Sequence, residues 1–333
     1  MGVTPHPGTP VRRSLRAPDV DKLVEDACAG QLRAVSRLLS LVEEGVPDLP
    51  RITAALAERP GHAHVIGLTG APGVGKSTSA SALVDAYRRR GARVAVLAVD
   101  PSSPLSGGAL LGDRVRMQEH AGDRGVFVRS MASRGQLGGL SRATPQALRV
   151  LDAAGFDVVL LETVGVGQSE VSVAGMADTT LVLLAPGLGD GVQAAKAGLL
   201  EVADVFVVNK ADTPGAEQVV RDLRRMLSLD HRRGGERWRT PVLKTNAVDH
   251  EGYDEVLEAV DRHVAWSATT GEIEHRRTRR AGEELDALVR AAVTRRLAGL
   301  RGGEAFRRMA AEVAGGRSDP YSAADRLIGS LLS

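Results

Sequence analysis

Gly70-Ala71-Pro72-Gly73-Val74-Gly75-Lys76-Ser77 ends a glycine-spaced stretch on a lysine and a hydroxyl, and it matches the G-x-x-x-x-G-K-[ST] pattern of a phosphate loop at every fixed position. Glycine tolerates positive φ, so such a backbone can wrap an anion with its N–H groups. Lys76 supplies a point charge to the β and γ oxygens of a nucleotide, and Ser77 supplies a hydroxyl to Mg²⁺. The context agrees with this chemistry. The apolar run HVIGLT precedes the loop, and a helical stretch from Ser77 to Arg90 follows it. A helix N-terminus adds the positive end of a dipole. Residues 70–78, Thr78 included, are therefore expected to bind the nucleotide.

A second constellation chooses the base. Asn209-Lys210-Ala211-Asp212 follows the apolar run from Val205 and has the form N/T-K-x-D. A carboxylate at Asp212 can accept both N1–H and the 2-amino group of guanine. Adenine offers neither donor, so a buried Asp212 would be left unmatched by ATP. Lys210 is expected to pack its stem over the base. Thr245-Asn246-Ala247, with Val248 after it, stands at the end of the next apolar run, where a backbone contact to the base oxygen is expected. The pair of motifs points to GTP and GDP rather than ATP.

The remaining chemistry is carried by acids at strand ends and by glycine-rich loops. Val158–Leu161 leads into Glu162-Thr163-Val164-Gly165. An acid at the end of such a strand holds Mg²⁺ directly or through water. Glu162 is longer than the usual Asp, which suits an outer-shell role, and the Gly165 N–H is expected to face the γ-phosphate. Asp100 closes a run expected to lie next to the phosphate-loop strand, within reach of the metal. Asp113 lies in the glycine-rich stretch 105–117, a candidate switch. Gly187–Lys196 is a further glycine-rich loop, from which Lys196 could reach the nucleotide or a second subunit. The candidate catalytic set is Lys76, Asp113, Glu162 and Lys196. The candidate metal set is Ser77, Asp100, Asp113 and Glu162. No glutamine occupies the spacing of a Ras-type water-orienting residue, and Gln168 is displaced from it.

These residues need a frame. The runs His64–Thr69, Val94–Val99, Val126–Arg129, Val158–Glu162, Thr180–Ala185, Val205–Asn209 and Val242–Thr245 are Val-rich and nearly continuous. Strands buried on both faces read this way, which predicts a doubly wound, mostly parallel α/β sheet over 62–266. Residues 1–18 are rich in Pro, Gly and Arg and predict a disordered tail. Helical spacing of apolar residues predicts an N-terminal helical extension over 19–61 and a helical arm over 267–333. The short basic run of Arg276, Arg277, Arg279 and Arg280 reads as a solvated face, with a partner-binding patch as the alternative.

Composition bounds the function. Hydrophobic residues make up 43% of the 333, enough for a large core, but aromatics are only 3%, so Val, Leu, Ile and Ala must fill it. The net charge of +2 gives nucleic-acid binding little support. Cys28 stands alone, which rules out an internal disulfide and any multi-cysteine metal site. No apolar run approaches the roughly 18 residues of a membrane helix, and a cytoplasmic protein with no membrane partner is expected.

GAPGVGKST, VDPSSPLSGGALLGDRVRM, RGQLGGLS, ETVGVGQSE, PGLGDGVQAAKAG, NKAD and DPYSAA together resemble the MeaB/ArgK-type G proteins, chaperones of adenosylcobalamin-dependent acyl-CoA mutases. The resemblance covers residues 20 to 330. It implies a homodimer of a P-loop GTPase domain, joined through a C-terminal helical dimerisation arm, with a methylmalonyl-CoA mutase as partner. It implies magnesium and nucleotide roles for Asp100, Asp113 and Glu162, and a third switch at Gly187–Lys196 whose lysine acts in mutase-stimulated hydrolysis. A metal-insertion GTPase and a kinase of transport-binding proteins are the alternatives. The first lacks the Cys or His cluster it would need, and the second lacks an acceptor site and a base. Asn246, where many GTPases have Ser-Ala after the Thr, departs from the common pattern.

Overall fold

The Val-rich runs do form strands, and all of them run parallel. A computed structural model describes residues 17–59, 61–100, 118–120, 122–132, 143–163, 169–187, 199–230, 238–300 and 303–332. The strands are β1 (His64–Thr69), β2 (Val94–Asp100), β3 (Val126–Ala132), β4 (Val158–Thr163), β5 (Thr179–Leu184), β6 (Val205–Val208) and β7 (Val242–Lys244), ordered β3-β2-β4-β1-β5-β6-β7. Asp100 was expected beside the phosphate-loop strand. Instead β4 inserts between β1 and β2, pairing His64 with Val158 on one side and Val94 with Val158 on the other. Asp100 therefore ends a strand one place removed from β1, and it is Glu162 on β4 that ends next to the phosphate loop.

Alternation along each strand splits the core in two. Val159 and Leu161 join one cluster, and Val158 and Leu160 join the other. Helix α4 (Lys76–Arg89) covers one face together with α9 (Tyr253–Thr270). On the opposite face lie α5 (Thr144–Ala153) and α6 (Ser169–Met176). Gly67 makes α6 possible there, since a Cβ on it would sit 2.4 Å from Val173 Cγ1. The short α7 (Leu199–Val202) and the longer α8 (Ala216–Asp230) flank β6 and β7.

The N-terminal extension is α1 (Ala17–Cys28), α2 (Leu32–Glu44) and α3 (Leu49–Ala57). Val24, Leu38, Leu39 and Ile52 are fully buried in the same cluster as Ala147 and Leu151 of α5. Burying a side chain of this size stabilises by about 1.5–3 kcal/mol, so the extension is a third layer of the core. Two polar contacts fix it. Asp152 accepts from the Gly61 and Ala63 N–H groups at 3.1 and 2.8 Å. Glu43 accepts from Arg129 and from the Ala132 N–H of edge strand β3, both at 3.1 Å.

The basic run at 276–280 is not uniformly a solvated face. Arg276 reaches Asp204, which is 6% exposed, through NH1–Oδ2 at 2.8 Å and NH2–Oδ1 at 3.0 Å. His263 Nε2 lies 3.2 Å from the same carboxylate, while its Nδ1 meets Thr179 Oγ1 at 2.7 Å. The Thr180 N–H also donates to Asp204, at 2.8 Å. Burial alone would raise the Asp204 pKa, but the hydrogen bonds from His263 and Arg276 outweigh it and hold the carboxyl below its ordinary range. The cluster sits at the amino ends of β5 and β6, opposite the phosphate loop.

The chain divides into compact units at Arg276 and Arg277, inside α10 (Glu272–Leu300). The expected boundary at 266 falls inside α9. The second unit contains the rest of α10, α11 (Glu304–Ala314) and α12 (Pro320–Leu332). On α10, Leu285, Leu288, Val289, Val293 and Leu297 are all exposed. Among the described residues no helix is long and apolar enough to cross a membrane. Residues 1–16, most of the expected tail, lie outside the described residues.

Candidate functional site

The loop 70–75 joins β1 to α4 at the carboxyl end of the sheet, where ligands of such folds sit. Its conformation depends on glycine. Gly75 caps α4 at φ +93°, and a Cβ there would stand 2.5 Å from Asn209 Nδ2. Gly70, at φ +145°, packs against Leu183 O, which a Cβ would approach to 2.3 Å. The Lys76 Nζ donates to Gly70 O at 2.8 Å and to Ala71 O at 3.2 Å, so the ammonium lies against the loop and its stem is buried. Pro72 and Gly73 form the loop's exposed crest, and Val74 is buried beneath it.

Behind the lysine, Ser77 Oγ donates to Glu162 Oε1 at 2.7 Å, and both residues are buried. A hydroxyl and a carboxylate are hard oxygen donors, the kind that Mg²⁺ prefers. The two residues suit that ion. Thr78 follows within the first turn of α4.

Asn209 ties the base side to the phosphate side. Its Nδ2 donates to Val74 O at 2.8 Å, and its Oδ1 accepts from the Ala247 N–H at 3.0 Å. Lys210 adopts φ +57° and donates to Gly73 O at 2.9 Å, which brings its stem alongside the loop. The loop after β7 is stiffened by mutual backbone bonds between Asn246 and Glu251 at 3.1 and 3.0 Å. Ala247 is buried, and Val248 projects at 78% exposure. Asp212 is exposed rather than buried. The geometry brings together Gly70 to Thr78, Glu162, Asn209, Lys210, Asp212 and Asn246 to Val248.

Asp100 ends β2, and its side chain is not among those described. Asp113, Gly165 and Lys196 lie outside the described residues. The sequence reading did not single out Asn209 as the hub of three segments. A polar residue at a strand end carried that signal only through its place in N-K-x-D.

Known proteins bear on this geometry. The family described as "Methylmalonyl Co-A mutase-associated GTPase MeaB" matches residues 35–301. A putative GTPase of Pyrococcus abyssi is 42% identical over 315 residues, covering 94% of this chain and 97% of the relative. The GTPase ArgK of Escherichia coli is 39% identical over 237 residues, covering 69% of this chain and 72% of the relative. Among solved structures, one described as an LAO/AO transport system kinase superposes with a TM-score of 0.68 at 27% identity, covering 96% of this chain and 100% of its own.

Proposed function

The chain belongs to the MeaB family of mutase-associated GTPases, and from that premise we propose that it serves an adenosylcobalamin-dependent acyl-CoA mutase, methylmalonyl-CoA mutase first, as a Mg²⁺-dependent homodimeric chaperone. It is a P-loop GTPase. The proposal concerns whom it serves and how hydrolysis is controlled. The observation that carries it is the family match, which runs through the whole nucleotide domain and into α10.

Within this reading the loop 70–75 and the first turn of α4 bind the phosphates by backbone N–H groups, and Lys76 is their counter-charge. Ser77, Glu162, Asp100 and Asp113 are the residues that would hold Mg²⁺, with Glu162 acting through its hydrogen bond to Ser77. When bound, the ion would supply charge neutralisation to the phosphates. Asp212 selects guanine, and Asn209, which donates to Val74 O and accepts from the Ala247 N–H, holds the loop after β7 in register with the phosphate loop. Gly165 contacts the γ-phosphate, and Lys196 acts in the mutase-stimulated reaction. The exposed apolar row on α10 supports dimerisation through the second unit.

Single-turnover GTP hydrolysis with and without purified cobalamin mutases tests the assignment. Alone, the protein should turn over at about 10⁻⁴ to 10⁻² s⁻¹, with stimulation by its mutase. Lys196→Ala should abolish the stimulation while sparing most of the basal rate. A normal mutase response in that variant would overturn the third-switch mechanism. No stimulation by any such mutase would overturn the chaperone role and leave the GTPase intact.

A further inference from the structure

Helix α4 leaves the phosphate loop carrying polar side chains at four-residue spacing, namely Ser77, Ser81 and Asp85. That spacing puts them on one face, a turn apart. Ser77 meets Glu162. One turn on, Ser81 Oγ lies 2.5 Å from Glu119 Oε1 and 2.9 Å from His120 Nε2. The hydroxyl has one proton, and the carboxylate takes it, so His120 Nε2 is the donor to Ser81. A further turn on, Asp85 stands between two histidines, with Oδ1 at 3.7 Å from His120 Nδ1 and Oδ2 at 3.0 Å from His250 Nδ1. Arg88 then grips Asp123 of the same turn as His120, at 2.7 and 3.0 Å.

The two histidines come from different parts of the site. His250 lies in the loop that presents Ala247 to Asn209. It holds φ +59°, a conformation that a non-glycine residue keeps only where its surroundings fix it. His120 is buried, and the chain reaches it seven residues after Asp113. One carboxylate, on the helix that begins with Lys76 and Ser77, thus faces both rings.

We propose that Asp85 is a positioning residue that couples the base-side loop, through His250, to the turn at His120, so that occupancy of the base site and the setting of that turn are felt by each other. This rests on reading the Ala247 loop as the base contact. The link is electrostatic on both sides, from the Asp85 carboxylate to the two ring Nδ1 atoms. It acts without touching the nucleotide.

The test is a double-mutant cycle in the full-length protein. His120→Asn, His250→Asn and the double variant are compared with wild type, and again in an Asp85→Asn background. Asn tolerates positive φ, so the change at 250 removes the ring without adding strain. GDP affinity, single-turnover hydrolysis and melting temperature are read for each. Both single variants should weaken GDP by on the order of threefold or more, His120→Asn included although it lies away from the base loop. The double variant should fall short of the product by about two- to fivefold, and that shortfall should vanish with Asp85→Asn. Effects that multiply while Asp85 is present would overturn the proposal. So would variants that only lower the melting temperature while GDP binding and hydrolysis stay at wild type. The cycle in the Asp85 background decides the matter even if Asp85→Asn does not fold. Wild-type protein that binds ADP as tightly as GDP would instead refute the base-side reading, and that comparison is made first.

Discussion

Replacing Arg276 by methionine keeps the volume of the side chain and removes its charge from a carboxylate that is 6% exposed. Breaking a buried pair by removing one partner destabilises by about 3–5 kcal/mol. Asp204 would keep the Thr180 N–H at 2.8 Å and His263 at 3.2 Å, which places Arg276→Met at the lower end, about 3 kcal/mol. At about 2–4 °C per kcal/mol, the melting temperature should fall by about 6–12 °C at pH 7. The pH dependence has a definite sign. The folded carboxyl is held below its ordinary value, so its contribution is complete above the unfolded value, about 4, and is lost as pH falls through the folded value. The gap between wild type and variant should therefore be full at neutral pH and shrink below about pH 4. Trp238 and Trp266 are the chain's two tryptophans, and their ring centroids lie 5.0 and 5.7 Å from that of His263, so intrinsic fluorescence during thermal unfolding reads the site itself. A variant melting within about 2 °C of wild type at pH 7, on the scale above, or a gap unchanged down to pH 3, would refute the reasoning.

Three other outcomes are expected. GTP and GDP should bind at least about 100-fold more tightly than ATP, and Asp212→Asn should erase most of that preference. Calorimetry with equal guanine and adenine affinities in wild type would contradict it. Gly75→Ala should weaken GDP about tenfold or more, because an L side chain at φ +93° is strained and its Cβ meets Asn209. An unchanged dissociation constant would show that the loop relaxes freely. Deleting 277–333, a cut that spares the Arg276 pair, should give a monomer that binds GDP normally. Light scattering that finds the full chain monomeric at micromolar concentration would rule out the dimer.

Strand positions were legible because strands buried on both faces leave short runs of Val and Leu that nothing interrupts, and β1 to β7 each fall on such a run. The phosphate loop was legible because its residues are contiguous. Strand order was not. The insertion of β4 between β1 and β2 leaves no local mark, so Asp100 was placed a strand too near the phosphate loop. Arg276 was misread for a similar reason, since among neighbouring arginines its partner Asp204 is distant in sequence. Asp85 likewise gains its two histidines only when the chain is folded. A buried Asp212 was supposed from the sequence, and the residue is exposed.

The insertion of β4 also sets a timetable. During synthesis β1 emerges early, yet both strands that flank it, β4 and β5, come off the ribosome about ninety residues or more later. At about 5–20 residues per second, the phosphate-loop strand spends on the order of five seconds or more with neither edge paired by its native neighbours. Through that interval Val65, Ile66 and Leu68 offer an apolar ribbon to whatever is nearest. The strand of this chain that carries its chemistry thus waits longest for its permanent neighbours, and a nascent-chain chaperone would find its natural target there.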